Sequence, residues 1–276
     1  MAVDDLSPPK IAALLATNRY GRSLDVRART RSTNDDARAA ADAGAPDGHV
    51  VVADAQDAGR GAHGHAWSSP AGADLYLSIV DRPAVPARQL PQITLAVGLG
   101  VSDCVASLTG RRAALKWPND VLLSDPAPLR DQELVERKCA GILVETSSSG
   151  AQLGAVVIGI GLDVNRVEFG AELTETATSL ARSCGRAFDR CAVLAQLLLD
   201  VETWVDRLVR AGAAPIVAAL ADRLAWRGER VSCGDLEGEL LGVDASGALR
   251  IATASGVRTL TAGSLRRVPR AASPNS

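Results

Sequence analysis

Residues 56–67 read Gln-Asp-Ala-Gly-Arg-Gly-Ala-His-Gly-His-Ala-Trp, and this stretch decides how the rest of the chain is interpreted. It lies between two apolar runs, 50–53 and 75–80, which are typical of neighbouring strands. Glycines allow successive backbone N–H groups to face an anion that Arg60 can pair with, and Trp67 offers a flat face for a ring. The stretch is therefore either an anion-binding loop or a mobile hairpin tip with solvated charges.

The composition is that of a soluble globular protein. A length of 276 residues suffices for a full core and a small extra domain. The apolar fraction of 47% and the charged fraction of 22% are ordinary for such proteins. No apolar run approaches about 20 residues and no signal peptide is visible, so we expect no membrane span. Five scattered cysteines favour a cytoplasmic protein with reduced thiols, and three histidines without metal-ligand spacing argue against structural zinc. A net charge of −2 without a basic stripe argues against nucleic acid as a partner.

Lysine is scarce in this chain. The 30 basic residues include only three lysines, Lys10, Lys116 and Lys138, so arginine carries almost all of the positive charge. A lysine in such a background suits a site that needs a compact charge, which a guanidinium cannot supply. Lys10 lies in a loose N-terminal segment and needs no such explanation, whereas Lys116 and Lys138 are candidate site residues.

Helix signals occur throughout the first 225 residues. The apolar spacing and the terminal residues predict helices over 11–16, from Ser32-Thr33-Asn34 to Gly44, and over 86–108, 189–211 and 216–224. Ser32 and Thr33 have two interpretations: they only cap the second helix, or their hydroxyls also face a ligand at its N-terminus.

Further strands are expected on both sides of a polar segment. Residues 115–123 form a strand broken at Pro118, which presents Lys116, Asn119 and Asp120, although Pro-Asn-Asp is also ordinary turn chemistry. Residues 124–137 are predicted to be a surface loop, and Lys138 begins an apolar strand that reaches Glu145. Another buried strand is predicted over 155–162. After Trp226, the short alternating runs 230–233, 236–243, 248–253 and 257–260 predict a small β-barrel of about 45 residues.

Four segments, taken in their order and spacing, closely resemble the bacterial biotin–protein ligases. They are Ser32-Thr33-Asn34, Gln56 to Gly61, Lys116-Trp117-Pro118-Asn119-Asp120 and Lys138 to Glu145. The segments Gly159-Ile160-Gly161 and Ala177-Thr178-Ser179-Leu180 also match, so the resemblance covers roughly residues 25–268.

The resemblance implies an α/β (α+β) catalytic domain with a central mixed sheet and a small C-terminal SH3-like β-barrel. The implied boundaries are an N-terminal extension 1–24, a catalytic domain 25–225, an SH3-like domain 226–270 and a tail 271–276. The implied activity joins biotin to ATP, giving biotinyl-5′-adenylate and pyrophosphate. Biotin is then transferred to a lysine of the biotin carboxyl carrier domain of an acyl-CoA carboxylase.

The resemblance also implies roles for individual residues. For biotin it implies Ser32, Thr33, Asn34, Gln56, Arg60, Gly61, Ala62, Lys138 and Gly141. For ATP and the adenylate it implies Gly59, Arg60, Gly61, Trp67, Lys116, Asn119 and Asp163. The implied catalytic residues are Lys138, Lys116, Asp120 and Arg60. Mg²⁺ needs only one or two carboxylates, and Asp120 can supply one.

The chain departs from the family pattern in three respects. In the glycine-rich loop, Ala62 and His65 stand where the family has arginine, and Asp163 stands where Gly-x-Gly-x-Asn has asparagine. The connector between Lys116 and Lys138 is also longer than usual. The first departure predicts a weaker grip on the adenylate, and the second predicts a changed polar contact on the nucleotide side.

Two other functions are compatible with parts of the pattern. A lipoate ligase or transferase shares a comparable lysine, but the Lys-Trp-Pro-Asn-Asp run and the C-terminal barrel favour biotin. A degenerate module that binds biotin or its adenylate without turnover is suggested only by Ala62 and Asp163. Some family members carry an N-terminal DNA-binding domain, but only about 25 residues precede the catalytic domain here, so no DNA binding is expected.

Overall fold

The computed structural model describes residues 6–86, 89–125, 135–149 and 152–268. Its largest element is a seven-stranded mixed sheet with the order β1-β2-β3-β7-β6-β5-β4, in which only the β1–β2 pair is parallel. The strands are β1 (Leu24–Arg27), β2 (His49–Ala53), β3 (Leu75–Asp81), β4 (Ala113–Lys116), β5 (Asp120–Asp125), β6 (Val135–Ser149) and β7 (Gln152–Leu162). The predicted mixed sheet is thus confirmed.

Six helices accompany this sheet within the described ranges. They are α1 (Pro8–Leu14), α2 (Thr33–Asp42), α3 (Leu90–Thr109), α4 (Leu180–Cys184), α5 (Arg190–Ala211) and α6 (Ala214–Arg223). The predicted helices are confirmed with shifted ends. Gly44 follows α2 with φ +87°, and Gly110 ends α3 with φ +66°, as expected for residues that follow a helix.

Helix α3 lies in the main core, where it packs against α5 and β4. By length and composition it could cross a membrane, contrary to the expectation that no apolar run approaches that length, but 67% of the relevant window is buried inside the protein. The two helices approach closely at Gly100, because a Cβ there would lie 2.6 Å from Cα of Val201. A glycine at this crossing therefore allows the helix pair to cover the sheet.

The predicted surface loop over 124–137 is partly wrong. Residues 124 and 125 belong to β5, and residues 135–137 begin β6, because the two strands pair as far as Asp125 and Val135. Arg137 is buried and its guanidinium lies 3.4 Å from the Asp125 carboxylate, which explains a charged residue at this position. Residues 126–134, and the predicted tail from Pro269, lie outside the described residues.

The C-terminal part forms a separate antiparallel sheet of five strands. These are β8 (Arg230–Cys233), β9 (Leu236–Val243), β10 (Leu249–Thr253), β11 (Gly256–Leu260) and β12 (Leu265–Arg267), in the order β11-β10-β9-β8-β12. The sequence missed β12, which has only three residues. Within the described residues no ladder joins the edge strands β11 and β12, so the predicted barrel is seen as a sheet. Trp117 Nε1 donates to the Gly247 carbonyl (3.0 Å) and so links this sheet to the site region.

A buried carboxylate ties the N-terminal segment to α5. Glu202, 3% exposed, accepts hydrogen bonds from the backbone N–H groups of Asn18 (2.7 Å), Arg19 (3.0 Å) and Tyr20 (2.8 Å). At the N-terminal end of α5, Lys10 on α1 pairs with Asp189 at 2.8 Å. The N-terminal segment is therefore held in place, and Lys10 has a structural partner that the sequence did not indicate.

We expect the variant Glu202→Ala to lower the free energy of unfolding by about 3 kcal/mol, because three backbone donors lose their acceptor. Urea denaturation would measure the change. The control is Glu229→Ala, which removes an exposed carboxylate paired with Arg267 and should change stability by no more than about 0.5 kcal/mol. Equal effects of the two variants would contradict the structural role of Glu202.

Candidate active site

Two adjoining cavities lie where the glycine-rich loop crosses the sheet. The first is enclosed by the start of α2, the loop and the middle of β6 and β7. Its lining includes these residues predicted from the sequence: Ser32, Thr33, Asn34, Gln56, Arg60, Gly61, Ala62, Trp67, Asn119, Lys138 and Gly141. The structure therefore brings the whole predicted biotin set together.

The second cavity shares a wall with the first. Its lining includes Gly61, Ala62, Trp67, Lys116, Asn119, Asp120 and Lys138 from the predicted set, together with His65 and residues 263–265 of the C-terminal sheet. The loop and Lys138 line both cavities. A molecule in one cavity can therefore approach a molecule in the other beside the Lys138 ammonium group.

A hydrogen-bond chain orders the polar end of the first cavity. Oε1 of Gln56 accepts hydrogen bonds from the backbone N–H (2.9 Å) and the hydroxyl (3.1 Å) of Thr33. The Ser78 hydroxyl lies 2.8 Å from Oγ1 of Thr33 and 2.6 Å from Oδ1 of Asn34. The Ser32 side chain forms no capping hydrogen bond, although it is buried and lines the cavity. Capping therefore does not account for Ser32, and its hydroxyl is available to a ligand.

The indole of Trp67 lies on a floor of glycines. A Cβ at Gly141 would lie 2.8 Å from Cζ3 of Trp67, and a Cβ at Gly161 would collide with the five-membered side of the indole. The Lys138 ammonium group lies 5.0 Å from the ring centroid, within cation–π range. Gly59 is buried beneath the same loop, where a Cβ would lie 2.5 Å from the Trp67 carbonyl oxygen. Gly59 thus shapes the loop and lines neither cavity.

Asp120 holds both candidate lysines. Its Oδ1 lies 2.6 Å from Nζ of Lys138, and its Oδ2 lies 3.2 Å from Nζ of Lys116. The hairpin pairs Lys116 with Asp120, and Asp120 pairs in turn with Gly141 on β6, so the register itself brings these groups together. Two ammonium groups against one carboxylate leave a net positive charge, which suits an anionic ligand. The Asn119 amide instead donates to the Ile142 carbonyl oxygen (2.9 Å).

Arg60 is held at the rim by two carboxylates. Its Nη1 donates to Oδ2 of Asp35 (2.9 Å), and its Nη2 lies 2.8 Å from Oδ1 of Asp35 and 3.3 Å from Oε2 of Glu145. The hydrogen bonds from the Arg60 guanidinium hold the pKa of the Asp35 carboxyl below its usual range. The arginine is therefore oriented in the absence of a ligand.

Asp163 is placed differently from the nucleotide contact that its motif position implied. Its side chain is 7% exposed and lines neither cavity; it faces Asp74 and lies 3.6 Å from the Arg166 guanidinium. Burial, followed by the nearby Asp74 charge, raises the pKa of Asp163 well above its ordinary value. Arg166 pairs more closely with Asp74 (2.7 Å), to which the Tyr76 hydroxyl also donates. Asp163 thus belongs to a buried network behind Lys138.

The two departures in the loop lie in the expected place. Ala62 lines both cavities and begins a short 3₁₀ turn, Ala62–Gly64, and exposed His65 lines the second cavity. The side chain of His63, the other histidine of the loop, lies outside the described part of the chain. Among the described residues no group of three His, Cys, Asp or Glu could hold a metal ion without a ligand's help.

Sequence reasoning assigned no role to several residues of this site. The sequence marks Asp35 only as an acidic residue in the first turn of α2, and Glu145 and Gly159 only as parts of matching segments. A Cβ at Gly159 would collide with the Asn34 amide, so the glycine makes room for that side chain. The signal for Ser78 is a serine in the middle of the otherwise apolar run 75–80, which could have indicated a site-facing hydroxyl.

We expect the variant Gly161→Ala to displace Trp67 from the floor, because the added Cβ would overlap the indole. The free energy of unfolding should fall by about 1–3 kcal/mol, and tryptophan fluorescence should become easier to quench by acrylamide. Gly170→Ala is the control, since a Cβ there meets nothing within 4 Å. Matching stability and quenching in the two variants would show that the floor does not need glycine.

Comparisons with known proteins agree with this site. The profile of the Biotin/lipoate A/B protein ligase family matches residues 26–163. The Biotin--[acetyl-CoA-carboxylase] ligase of Mycobacterium tuberculosis is 38% identical over 209 residues, 72% of either chain. The Bifunctional ligase/repressor BirA of Bacillus spizizenii is 31% identical over 267 residues, 92% of this chain and 77% of its own.

A solved structure shows the same fold. The biotin protein ligase from Aquifex aeolicus in complex with biotin and ATP superposes with a TM-score of 0.75 and 27% identity, over 90% of this chain and 100% of that one. The family profile, the curated relatives and the fold lead to one conclusion. This chain belongs to the biotin/lipoate A/B protein ligase family, and the relatives it resembles are biotin protein ligases.

Proposed function

We propose that this protein is an ATP-dependent biotin–protein ligase. The observation that carries the proposal is the pair of adjoining cavities, which share the glycine-rich loop and Lys138. Biotin occupies the first cavity, where Ser32, Thr33, Asn34 and Gln56 offer donors and acceptors to its ureido ring. ATP occupies the second, where Trp67 offers a face for adenine and Lys116 a charge for the phosphates.

The first reaction joins two anions. A carboxylate oxygen of biotin attacks the α-phosphorus of ATP, a P–O bond forms, and the bond to pyrophosphate breaks. Repulsion between the reactants must be offset by fixed positive groups that act on the developing charge. Lys138 is placed for this because its ammonium group borders both cavities. Arg60, which lines the first cavity, and the backbone of Gly61, which lines both, face the carboxylate and the α-phosphate.

Magnesium fits the second cavity through Asp120. Mg²⁺ retains water and takes one or two carboxylates together with phosphate oxygens, and it neutralises triphosphate charge when bound. Asp120 is partly exposed at the cavity wall, and each of its two oxygens contacts a lysine. Those lysines can turn to phosphate oxygens and release the carboxylate for the ion.

The second reaction transfers biotin to a lysine of a biotin carboxyl carrier domain. The lysine amine attacks the biotinyl carbonyl carbon, an amide forms, and AMP leaves with the electrons of the anhydride bond. We propose an acyl-CoA carboxylase as the acceptor because the relatives in Mycobacterium tuberculosis and Paracoccus denitrificans are named biotin--[acetyl-CoA-carboxylase] ligases. Those names also favour biotin over the lipoate alternative.

Several finer assignments belong to the same proposal. The catalytic domain is proposed to span 25–225 and an SH3-like domain 226–270, since the separate C-terminal sheet begins at Arg230. We also propose a cytoplasmic location, which the five free cysteines support. The lack of DNA binding stays a prediction.

The decisive experiment incubates the protein with biotin, ATP, Mg²⁺ and a purified carrier domain, and measures pyrophosphate release and the mass of the carrier. We expect both pyrophosphate and one biotinyl group on a single lysine. Binding of biotin without pyrophosphate would instead support the degenerate binding module.

We expect Lys138→Arg to slow adenylate formation by roughly tenfold or more, because a broad guanidinium cannot follow the charge between the two cavities as a compact ammonium group does. Pyrophosphate release in the absence of carrier measures this step. Lys10→Arg, on α1 beside Asp189, is the control and should have no effect. A near wild-type rate in Lys138→Arg would remove Lys138 from its assigned role.

Ala62 leads to a prediction about adenylate retention. The methyl group cannot bind the anionic oxygens, and a charge-assisted hydrogen bond is worth on the order of 1.5–3 kcal/mol. Ala62→Arg should therefore release biotinyl-adenylate roughly ten- to a hundredfold more slowly than the wild type. In the wild type, escaped adenylate should biotinylate exposed lysines of bystander proteins at a low level.

The control for this prediction is Ala58→Arg, which adds the same charge to an exposed position of the same loop outside both cavities. Its release rate should equal that of the wild type. Equal rates in Ala62→Arg and the wild type would mean that His65 or the loop backbone already supplies the missing grip.

A further inference from the structure

We propose that Glu145 is a positioning residue that connects the biotin cavity to Arg60 of the glycine-rich loop. The inference rests on the proposed function, because it assigns the loop arginine to the ligand's anionic oxygens. Glu145 ends the segment that begins at Lys138, lies on β6 opposite Val157, and lines neither cavity. It therefore acts on a ligand only through other side chains.

The carboxylate of Glu145 contacts three polar groups, two on α2 and one in the glycine-rich loop. Its Oε2 accepts a hydrogen bond from Nδ2 of Asn34 (2.7 Å) and lies 3.3 Å from Nη2 of Arg60. Its Oε1 lies 3.4 Å from Nη2 of Arg38. The side chain is 26% exposed, so solvent screens these contacts only in part. One carboxylate thus links α2, the loop and the sheet.

On the other side of Asn34, the series of side-chain contacts continues into the biotin cavity. Oδ1 of Asn34 lies 2.6 Å from the Ser78 hydroxyl, which lies 2.8 Å from the Thr33 hydroxyl. Thr33 in turn donates to Gln56. Gly159 leaves the space that the Asn34 amide occupies in this chain. Ser78 has one hydroxyl proton, so it donates to either Asn34 or Thr33 at a time. A continuous series of close polar contacts therefore runs from the proposed ureido-binding groups to Glu145 and Arg60.

The arrangement gives Arg60 a fixed orientation within a loop rich in glycine. Asp35 binds both terminal nitrogens of the guanidinium, and Glu145 binds one of them from the sheet side. Of the five guanidinium N–H groups, those not directed at these two carboxylates are available to an anion. Ordering this side chain before the ligand binds reduces the entropy lost on binding, and this is the contribution we assign to Glu145.

Two substitutions separate the contact of Glu145 with Asn34 from its contact with Arg60. Glu145→Gln keeps an acceptor oxygen for the Asn34 amide but removes the charge that holds Arg60. Biotin affinity should remain near the wild-type value while adenylate release becomes roughly two- to fivefold faster. Glu145→Ala removes both contacts, so biotin should bind more weakly and the adenylate should leave faster. Calorimetry measures the affinity, and stopped-flow fluorescence measures the release.

A double-mutant cycle distinguishes positioning of Arg60 from a merely structural role. If Glu145 acts through Arg60, Glu145→Gln should have no further effect on adenylate release once Arg60→Ala is present. The control is Glu237→Gln, which removes a carboxylate paired with Arg230 (2.5 Å) in the C-terminal sheet and should leave release and affinity unchanged. Additive effects in the cycle, or unchanged release in Glu145→Gln, would overturn the proposal.

A measurement without ligand tests the inference even if the proposed function fails. Trypsin cleaves after arginine, and the Arg60–Gly61 bond should be cut faster in Glu145→Gln than in the wild type, because the side chain is less restrained. Mass spectrometry identifies this bond among the other arginine sites. An unchanged cleavage rate overturns the inference alone, whereas a wild-type protein that makes no adenylate overturns the proposed function.

Discussion

The site depends on the packing of one indole against two strands at positions where only glycine fits. Trp67 closes the glycine-rich loop, and its ring contacts β6 at Gly141 and β7 at Gly161. Because the two strands pair directly at these positions, the glycines form one flat surface. A side chain at either position would lift the ring and move the loop. The contact therefore determines where the loop returns to the sheet, and with it the wall between the two cavities.

The positively charged side chains of the site form ion pairs with carboxylates. Lys116 and Lys138 share Asp120, and Arg60 is held by Asp35 and Glu145. Such pairs keep cations in place without a ligand, yet pairs that are partly exposed to solvent are weak enough for phosphate or carboxylate oxygens to replace one partner. The site can therefore be ordered when empty and still release its cations to a substrate.

Helices and loops outside the site hold its walls in position. Helices α3 and α5 cross closely at Gly100, and α5 holds the N-terminal segment through Glu202. On the opposite side of the sheet, the start of α2 presents Thr33 to the cavity. Trp117 links the site region to the C-terminal sheet through the Gly247 carbonyl. Each wall of the site is thus anchored to a different part of the core.

The sequence by itself determined the long helices through local signals, such as the apolar periodicity of α5 and the glycine at the end of α3. The mixed sheet and many of the cavity-lining residues followed from the family resemblance, which depends on the order and spacing of several motifs. The local signals failed where partners distant in sequence decide the outcome. Residues 135–137 appeared to be a polar loop but extend β6, since pairing with β5 and the Asp125 carboxylate stabilise Arg137 there.

Only the tertiary structure decided which polar groups face a ligand and which face each other. Asp163 occupies a motif position, but burial beside Asp74 and Arg166 turns its carboxyl away from the cavities. Glu145, which the sequence marks only as the end of a predicted strand, reaches both Asn34 and Arg60, which are 111 and 85 residues away in the chain. The physical reason is that contacts between side chains depend on the register and packing of several elements at once. No local pattern in the sequence determines which residues, far apart along the chain, come into contact.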